Sequence, residues 1–105
     1  MPPRLQPHRV NDSQRPRFAK GVKLRRDGDD AMLLVPEGAL VLNGSASVAL
    51  ELVDGIRTLQ QIVAELVERF DVSPELARAE TAALFERLIE RGFLRAENFP
   101  KEDAP

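Results

Sequence analysis

KGVKLRRDGDDAMLLVPEGALVLNG, residues 20–44, is the stretch on which the fold turns. From Lys20 to Arg26, Val22 and Leu24 alternate with Lys23 and Arg25, the two-residue period of a half-buried strand. Asp27-Gly28-Asp29-Asp30 then supplies residues suited to a tight reversal. Ala31 to Val35 is a short apolar run, Pro36-Glu37-Gly38 breaks it, and Ala39 to Leu42 is a second run that ends at Asn43-Gly44. Three strands joined by short turns predict an antiparallel meander, one face of which needs cover.

The cover comes next in the chain, where the apolar period changes to that of a helix. Ala46, Ala49, Leu50 and Val53 fall at i, i+3, i+4 and i+7, with Gly55 placed as a left-handed C-terminal cap. Thr58 opens a capping box with Gln61, and Leu59, Ile62, Val63, Leu66, Val67 and Phe70 line one face of a second helix. Ser73-Pro74-Glu75 begins a third helix and Arg87, Arg91 and Gly92 mark its end. Its expected inward residues are Ala77, Thr81, Leu84, Phe85, Leu88 and Ile89, with Phe93-Leu94 tucking back behind Gly92. The predicted fold is α+β, a three-stranded antiparallel sheet followed by three helices, occupying residues 20–96. Residues 1–19, rich in proline and arginine and without apolar periodicity, read as a flexible basic arm, and 97–105 as a flexible polar tail.

Composition narrows the chemistry. The net charge of −2 hides an asymmetry, with +4 over residues 1–20 and −6 over the rest. The chain has no cysteine, so thiolate nucleophiles, disulfides and cysteine-held metals are excluded, and a cytoplasmic protein is expected. The single histidine, His8, falls in the arm, and the serines and threonines of the helical region are accounted for as caps or helix surface. No nucleophile, base and orienting group can be assembled, so no enzyme and no cofactor are predicted. Asp27, Asp29 and Asp30 crowd one turn but lack the EF-hand repeat and its distal glutamate, which makes them a solvated turn rather than a metal site. Ala31 to Val35 is too short to span a membrane.

A small sheet beside a helix-turn-helix raises a competing reading, a winged-helix DNA-binding regulator. Against it, the third helix interleaves Arg78, Arg87 and Arg91 with Glu75, Glu80, Glu86 and Glu90, and no nucleic-acid partner is predicted for so balanced a surface. The segment Ala39-Leu40-Val41-Leu42 points elsewhere. If the meander holds it is an edge strand, and it carries no charge, proline or bulge signal to blunt it. Either a helix covers that edge or an extended peptide adds to it. The candidate peptide-binding residues are therefore Leu40, Val41 and Leu42, facing a helix-three stripe of Arg78, Ala82, Phe85 and Ile89 at i, i+4, i+7 and i+11.

Three runs also carry a resemblance. Leu33-Leu34-Val35-Pro36-Glu37-Gly38, then Leu42-Asn43-Gly44-Ser45-Ala46, then Leu52-Val53-Asp54-Gly55-Ile56-Arg57-Thr58 resemble, in order and separation, the LLxPE, LNxxA and DGxxT elements of the PqqD family, from about Lys20 to Arg95. The resemblance implies a winged-helix-like peptide chaperone of pyrroloquinoline quinone (PQQ) biosynthesis. Such a domain binds the precursor peptide PqqA along the third strand and against the third helix. It presents the peptide to PqqE, a radical S-adenosylmethionine enzyme that crosslinks glutamate and tyrosine within it. The motif residues themselves read as scaffold: Pro36-Glu37-Gly38 as a turn, Asn43 as an entry to the first helix, and Asp54-Gly55 as its end.

Overall fold

A computed structural model describes residues 10–28, 30–42 and 44–97. Along the chain run β1 (Arg15–Phe18), β2 (Lys23–Asp27), β3 (Asp30–Val35), β4 (Gly38–Leu42), α1 (Gly44–Glu51), α2 (Leu59–Phe70), α3 (Pro74–Glu90) and β5 (Leu94–Glu97). The expected α+β arrangement forms: β2, β3 and β4 make an antiparallel sheet in that order, and three helices follow. Added to it is a second, two-stranded antiparallel sheet of β1 and β5.

Local chemistry explains most boundaries. The hairpin turns fall at Gly28, whose φ of +66° suits a residue without a side chain, and at Pro36-Glu37, where proline presets φ for the second turn position. Thr58 caps α2 in a reciprocal box: its Oγ1 accepts the Gln61 N–H at 3.2 Å, and the Gln61 side chain accepts the Thr58 N–H at 2.9 Å. Ser73 caps α3 through the Leu76 N–H, with Pro74 at the first helical position. The far end of α3 closes on Gly92 at φ +83°. The Gly92 N–H returns to the Ile89 carbonyl and the Phe93 N–H to that of Leu88, the paired bonds that reverse a chain after a helix. Phe93 and Leu94 are thereby folded into the core, as expected. Gly55 does take a left-handed φ of +79°, but α1 already ends at Glu51, so the glycine belongs to the following loop rather than to the helix cap.

The core lies between one face of the three-stranded sheet and the helices. Leu33, Leu50, Leu59, Ile62 and Phe85 are its most deeply buried members. Leu24, Leu40 and Leu42 pack against it from the strands on either side of β3, and Arg26 of β2 pairs with Glu51 of α1 across the seam.

The expectation for residues 1–19 is corrected from Val10 onward; residues 1–9, including His8, lie outside the described residues. Val10 and Pro16 are buried, and Arg15–Phe18 pair with Leu94–Glu97 in register Arg15↔Glu97 to Phe18↔Leu94. The physical reason is backbone satisfaction rather than apolar patterning. The first N–H groups of a helix have no intrahelical acceptor. Here the Gln60 N–H donates to the Asp12 carbonyl at 3.1 Å and the Leu59 N–H to the Gln14 carbonyl at 2.9 Å. The Gly55 N–H reaches the Pro16 carbonyl, also at 2.9 Å. The tail expected over 97–105 is corrected at Glu97, which closes β5; residues 98–105 lie outside the described residues, as do Asp29 and Asn43.

Candidate functional site

β4 ends the three-stranded sheet, with β3 on one side and, among the described residues, no strand on the other. Its hydrogen-bond parity follows from the turn. Val35 and Gly38 face each other across two residues, a spacing that can pair only by exchanging both main-chain bonds. Bonded and unbonded pairs alternate from there, so Leu33↔Leu40 and Ala31↔Leu42 are bonded while Leu34↔Ala39 and Met32↔Val41 are not. The β2–β3 hairpin gives the complementary answer, because Asp27↔Asp30 closes a two-residue turn and makes Arg25↔Met32 and Lys23↔Leu34 the bonded pairs there. The N–H and C=O groups of Ala39 and Val41 therefore point away from the sheet. These two sets of groups have no partner among the described residues and stand along a free edge, alternating with Leu40 and Leu42, whose main chain is spent on β3 and whose side chains are half-buried against the core.

At the C-terminal end of this edge the chain enters α1, and there a cavity of about 360 Å³ opens among the three helices. Gly44, Ser45, Ala46 and Ala49 form its near wall, Leu66 and Phe70 of α2 with Val72 its floor, and Ala77, Glu80, Thr81 and Leu84 of α3 its far wall. Small residues at 44–46, 49 and 77 leave the space that larger side chains would fill. Glu80 is its one charged lining residue, so the cavity offers mainly apolar contact with a single acid on one wall. An edge of unpaired main-chain groups leading to an apolar hole can bind an extended chain through backbone bonds and take up a side chain from it.

The structure distributes the expected residues unequally. Leu40, Val41 and Leu42 lie on the free edge, with the Val41 side chain 66% exposed. The α3 stripe is turned away from the cavity. Phe85 and Ala82 are core residues, Phe85 completely buried, and Ile89 is half-buried against the same core; none of the three lines the cavity. Arg78 is exposed but engaged, its Nε donating to Asp12 Oδ1 at 2.7 Å, and two turns on Glu86 Oε2 accepts the Val10 N–H at 3.1 Å. The chain's own segment before β1 thus rests along that side of α3. The residues that reach the cavity instead are Ala77, Glu80, Thr81 and Leu84, about a quarter-turn away. Of these, Ala77, Thr81 and Leu84 were legible as inward positions. Nothing in the sequence separated the inward positions that fill the core from those that border a hole.

The motif residues act as scaffold. Asp54 Oδ1 accepts the N–H groups of Ile56 and Arg57 at 2.9 and 2.8 Å, and its Oδ2 pairs with the Arg57 guanidinium at 2.9 Å. Partial burial raises the Asp54 carboxyl, but the two backbone donors and the guanidinium outweigh it and hold the group below the usual carboxylate range. The loop so fixed presents Gly55 to β1, where an added Cβ would stand 3.5 Å from Arg17 Cβ at a φ of +79°. No group of three or more acidic, histidine or cysteine side chains among the described residues could hold a metal ion, and no helix among them is long and apolar enough to cross a membrane.

Comparison with known proteins agrees with this fold. The family model described as "Coenzyme PQQ synthesis protein D (PqqD)" matches residues 30–94. A "PqqA binding protein" of Xanthomonas axonopodis pv. citri is 33% identical over 88 residues, 82% of this chain and 96% of the relative. A protein of the same name from Gluconobacter oxydans is 32% identical over 90 residues, 84% of this chain and 94% of the relative. One from Rahnella aquatilis is 40% identical over 63 residues, 58% of this chain and 66% of the relative. Among solved structures, the PqqD truncation of Methylobacterium extorquens PqqCD superposes with a TM-score of 0.74 at 31% identity, covering 87% of this chain and 99% of that one. That solution NMR structure represents a functional and stand-alone recognition element for ribosomally synthesized and post-translationally modified peptides.

Proposed function

This chain belongs to the PqqD family, and from that premise we propose that it is a noncatalytic peptide chaperone of PQQ biosynthesis. It captures the precursor peptide PqqA as an added strand on β4, seats one apolar side chain of that strand in the cavity between α1 and α3, and presents the peptide to the radical S-adenosylmethionine enzyme PqqE. The observation that carries this reading is the unblunted β4 edge, whose Ala39 and Val41 main-chain groups face outward beside the cavity. Its relatives named as PqqA binding proteins support the same class of ligand. Capture through main-chain bonds gives affinity with little demand on sequence, and the cavity supplies the selection.

Amide chemical shifts measured while a synthetic PqqA peptide is added test the proposal. Ala39, Val41, Ala46, Thr81 and Leu84 should move together, and the Ala39 and Val41 amides should gain protection from hydrogen exchange. Perturbation confined to the Arg78 and Glu86 side of α3, with β4 silent, would remove the edge from the mechanism. Duplex DNA is the control for a regulator. Binding to it with micromolar or better affinity at physiological salt, in the absence of peptide binding, would replace this reading.

A further inference from the structure

The register that turns Leu24, Leu33, Leu40 and Leu42 toward the helices sends the alternate side chains to the other face. There Lys23, Leu34 and Ala39 form one row across the three strands, and Arg25, Met32 and Val41 form the next. The strand residues of this sheet that join the core, Leu24, Leu33, Val35, Leu40 and Leu42, all share the first orientation; none of these six joins it. Met32 and Leu34, on the central strand, are half-buried between their neighbours, and the other four are exposed. The water-facing side of an antiparallel sheet is ordinarily polar. This one is apolar in both rows from β3 to β4 and carries a cation at the β2 end of each. Among the described residues Lys23 and Arg25 make no ion pair, whereas Arg26, directed to the opposite face, pairs with Glu51. Asp30, exposed at the hairpin tip on the same side, pairs with neither cation.

Resting on the reading of β4 as the capture edge, we infer that this outer face is where the peptide-modifying enzyme docks, through a surface that is apolar at its centre and brings carboxylates to Lys23 and Arg25. The geometry links docking to cargo. A strand added to β4 extends each row by one residue, so alternate side chains of the captured peptide stand beside Ala39 and Val41, in line with Met32 and Leu34. The remaining peptide side chains turn toward the helices. A partner seated on the outer face would touch domain and peptide together, and it would meet those peptide residues that the cavity does not hold.

The test uses the full chain carrying Lys23→Glu and Arg25→Glu together, and separately Leu34→Gln, with synthetic PqqA and purified PqqE as the two probes. These positions lie on β2 and β3, away from the capture edge, so peptide affinity should stay within about twofold of the parent. PqqE affinity should fall at least about tenfold in the charge-reversed protein, more at low salt than at high, and about threefold for Leu34→Gln. PqqE binding at parental affinity by both variants would overturn the inference. So would sedimentation showing that the parent is a dimer which the charge reversal dissociates, because a second copy would then own the face. Failure of the parent to bind PqqA would cost the capture reading instead, and the PqqE measurement would still decide the docking face by itself.

Discussion

β1 and β4 are both strands with one sheet neighbour, and the molecule treats them in opposite ways. β1 gives one edge to β5, and on the other side the Pro16 carbonyl is taken by the Gly55 N–H, while the carbonyls of Asp12 and Gln14 just before it serve the first turn of α2. Proline removes a further donor from this strand, as suits an edge not meant to extend. β4 carries no such device: Ala39 and Val41 keep their outward groups, and no proline or charge interrupts Gly38–Leu42. A chain of this size that spends its backbone so fully at one edge has the means to close the other. An open edge is therefore not a general consequence of a small sheet: in the same chain β1 is closed and β4 is not.

Removing the closed edge should produce the largest effect. Deleting residues 1–18 strips Val10 and Pro16 from the core and leaves the Leu59, Gln60 and Gly55 N–H groups without their acceptors, at a cost of about 3–5 kcal/mol in denaturant unfolding. A deletion mutant as stable as the parent would show that β1 is an accessory. The open edge should respond in the opposite sense. Val41→Pro removes an outward donor, so peptide affinity should drop at least tenfold, about 1.4 kcal/mol, while fold stability changes by no more than about 1 kcal/mol. Unfolding of that variant would mean the parity of β4 is reversed, and Leu40 would become the position to test.

Two smaller measurements sharpen the closed side. Arg78→Glu breaks the pair with Asp12 and should lower stability by about 0.5 kcal/mol, a loss that high salt reduces, with peptide affinity unchanged because this side of α3 is occupied by the chain itself. A clear loss of peptide affinity would return Arg78 to the binding surface. The Asp54 loop that delivers Gly55 to β1 adds a pH dependence. Its carboxyl titrates lower in the folded chain than in the unfolded one, so its stabilisation is complete above the unfolded value and disappears as pH falls through the folded one, below about 3.8. Asp54→Asn should therefore be less stable than the parent near neutral pH, and the gap should close in acid. A gap that persists there would assign the loss to altered backbone hydrogen bonding instead of charge.

The contrast between the two edges also marks what the sequence could and could not disclose. β2, β3 and β4 were readable because alternation and turn residues are local signals, and the vulnerable edge was readable because Ala39-Leu40-Val41-Leu42 lacks every residue that protects one. β1 left no such signal. Arg-Pro-Arg-Phe has neither apolar alternation nor favourable strand propensity, and its partner lies at the far end of the chain, so only the assembled fold shows that its carbonyls are needed. The α3 stripe singled out by spacing meets the core rather than the cavity for a different reason. α3 is contacted by α1, α2, β5 and the segment before β1, so apolar and small residues occupy much of its circumference. A stripe through Arg78, Ala82, Phe85 and Ile89 satisfies helical spacing as well as one through Ala77, Thr81 and Leu84, and spacing alone cannot say which stripe borders empty space.

The pairing of Arg15 with Glu97 has one more consequence. Opposed residues in antiparallel strands lie about 5 Å apart, so two segments separated by most of the sequence are held side by side. The small sheet is in this sense a clasp: it fastens the segment that serves the first turn of α2 to the strand that follows α3, and loosening either strand frees both.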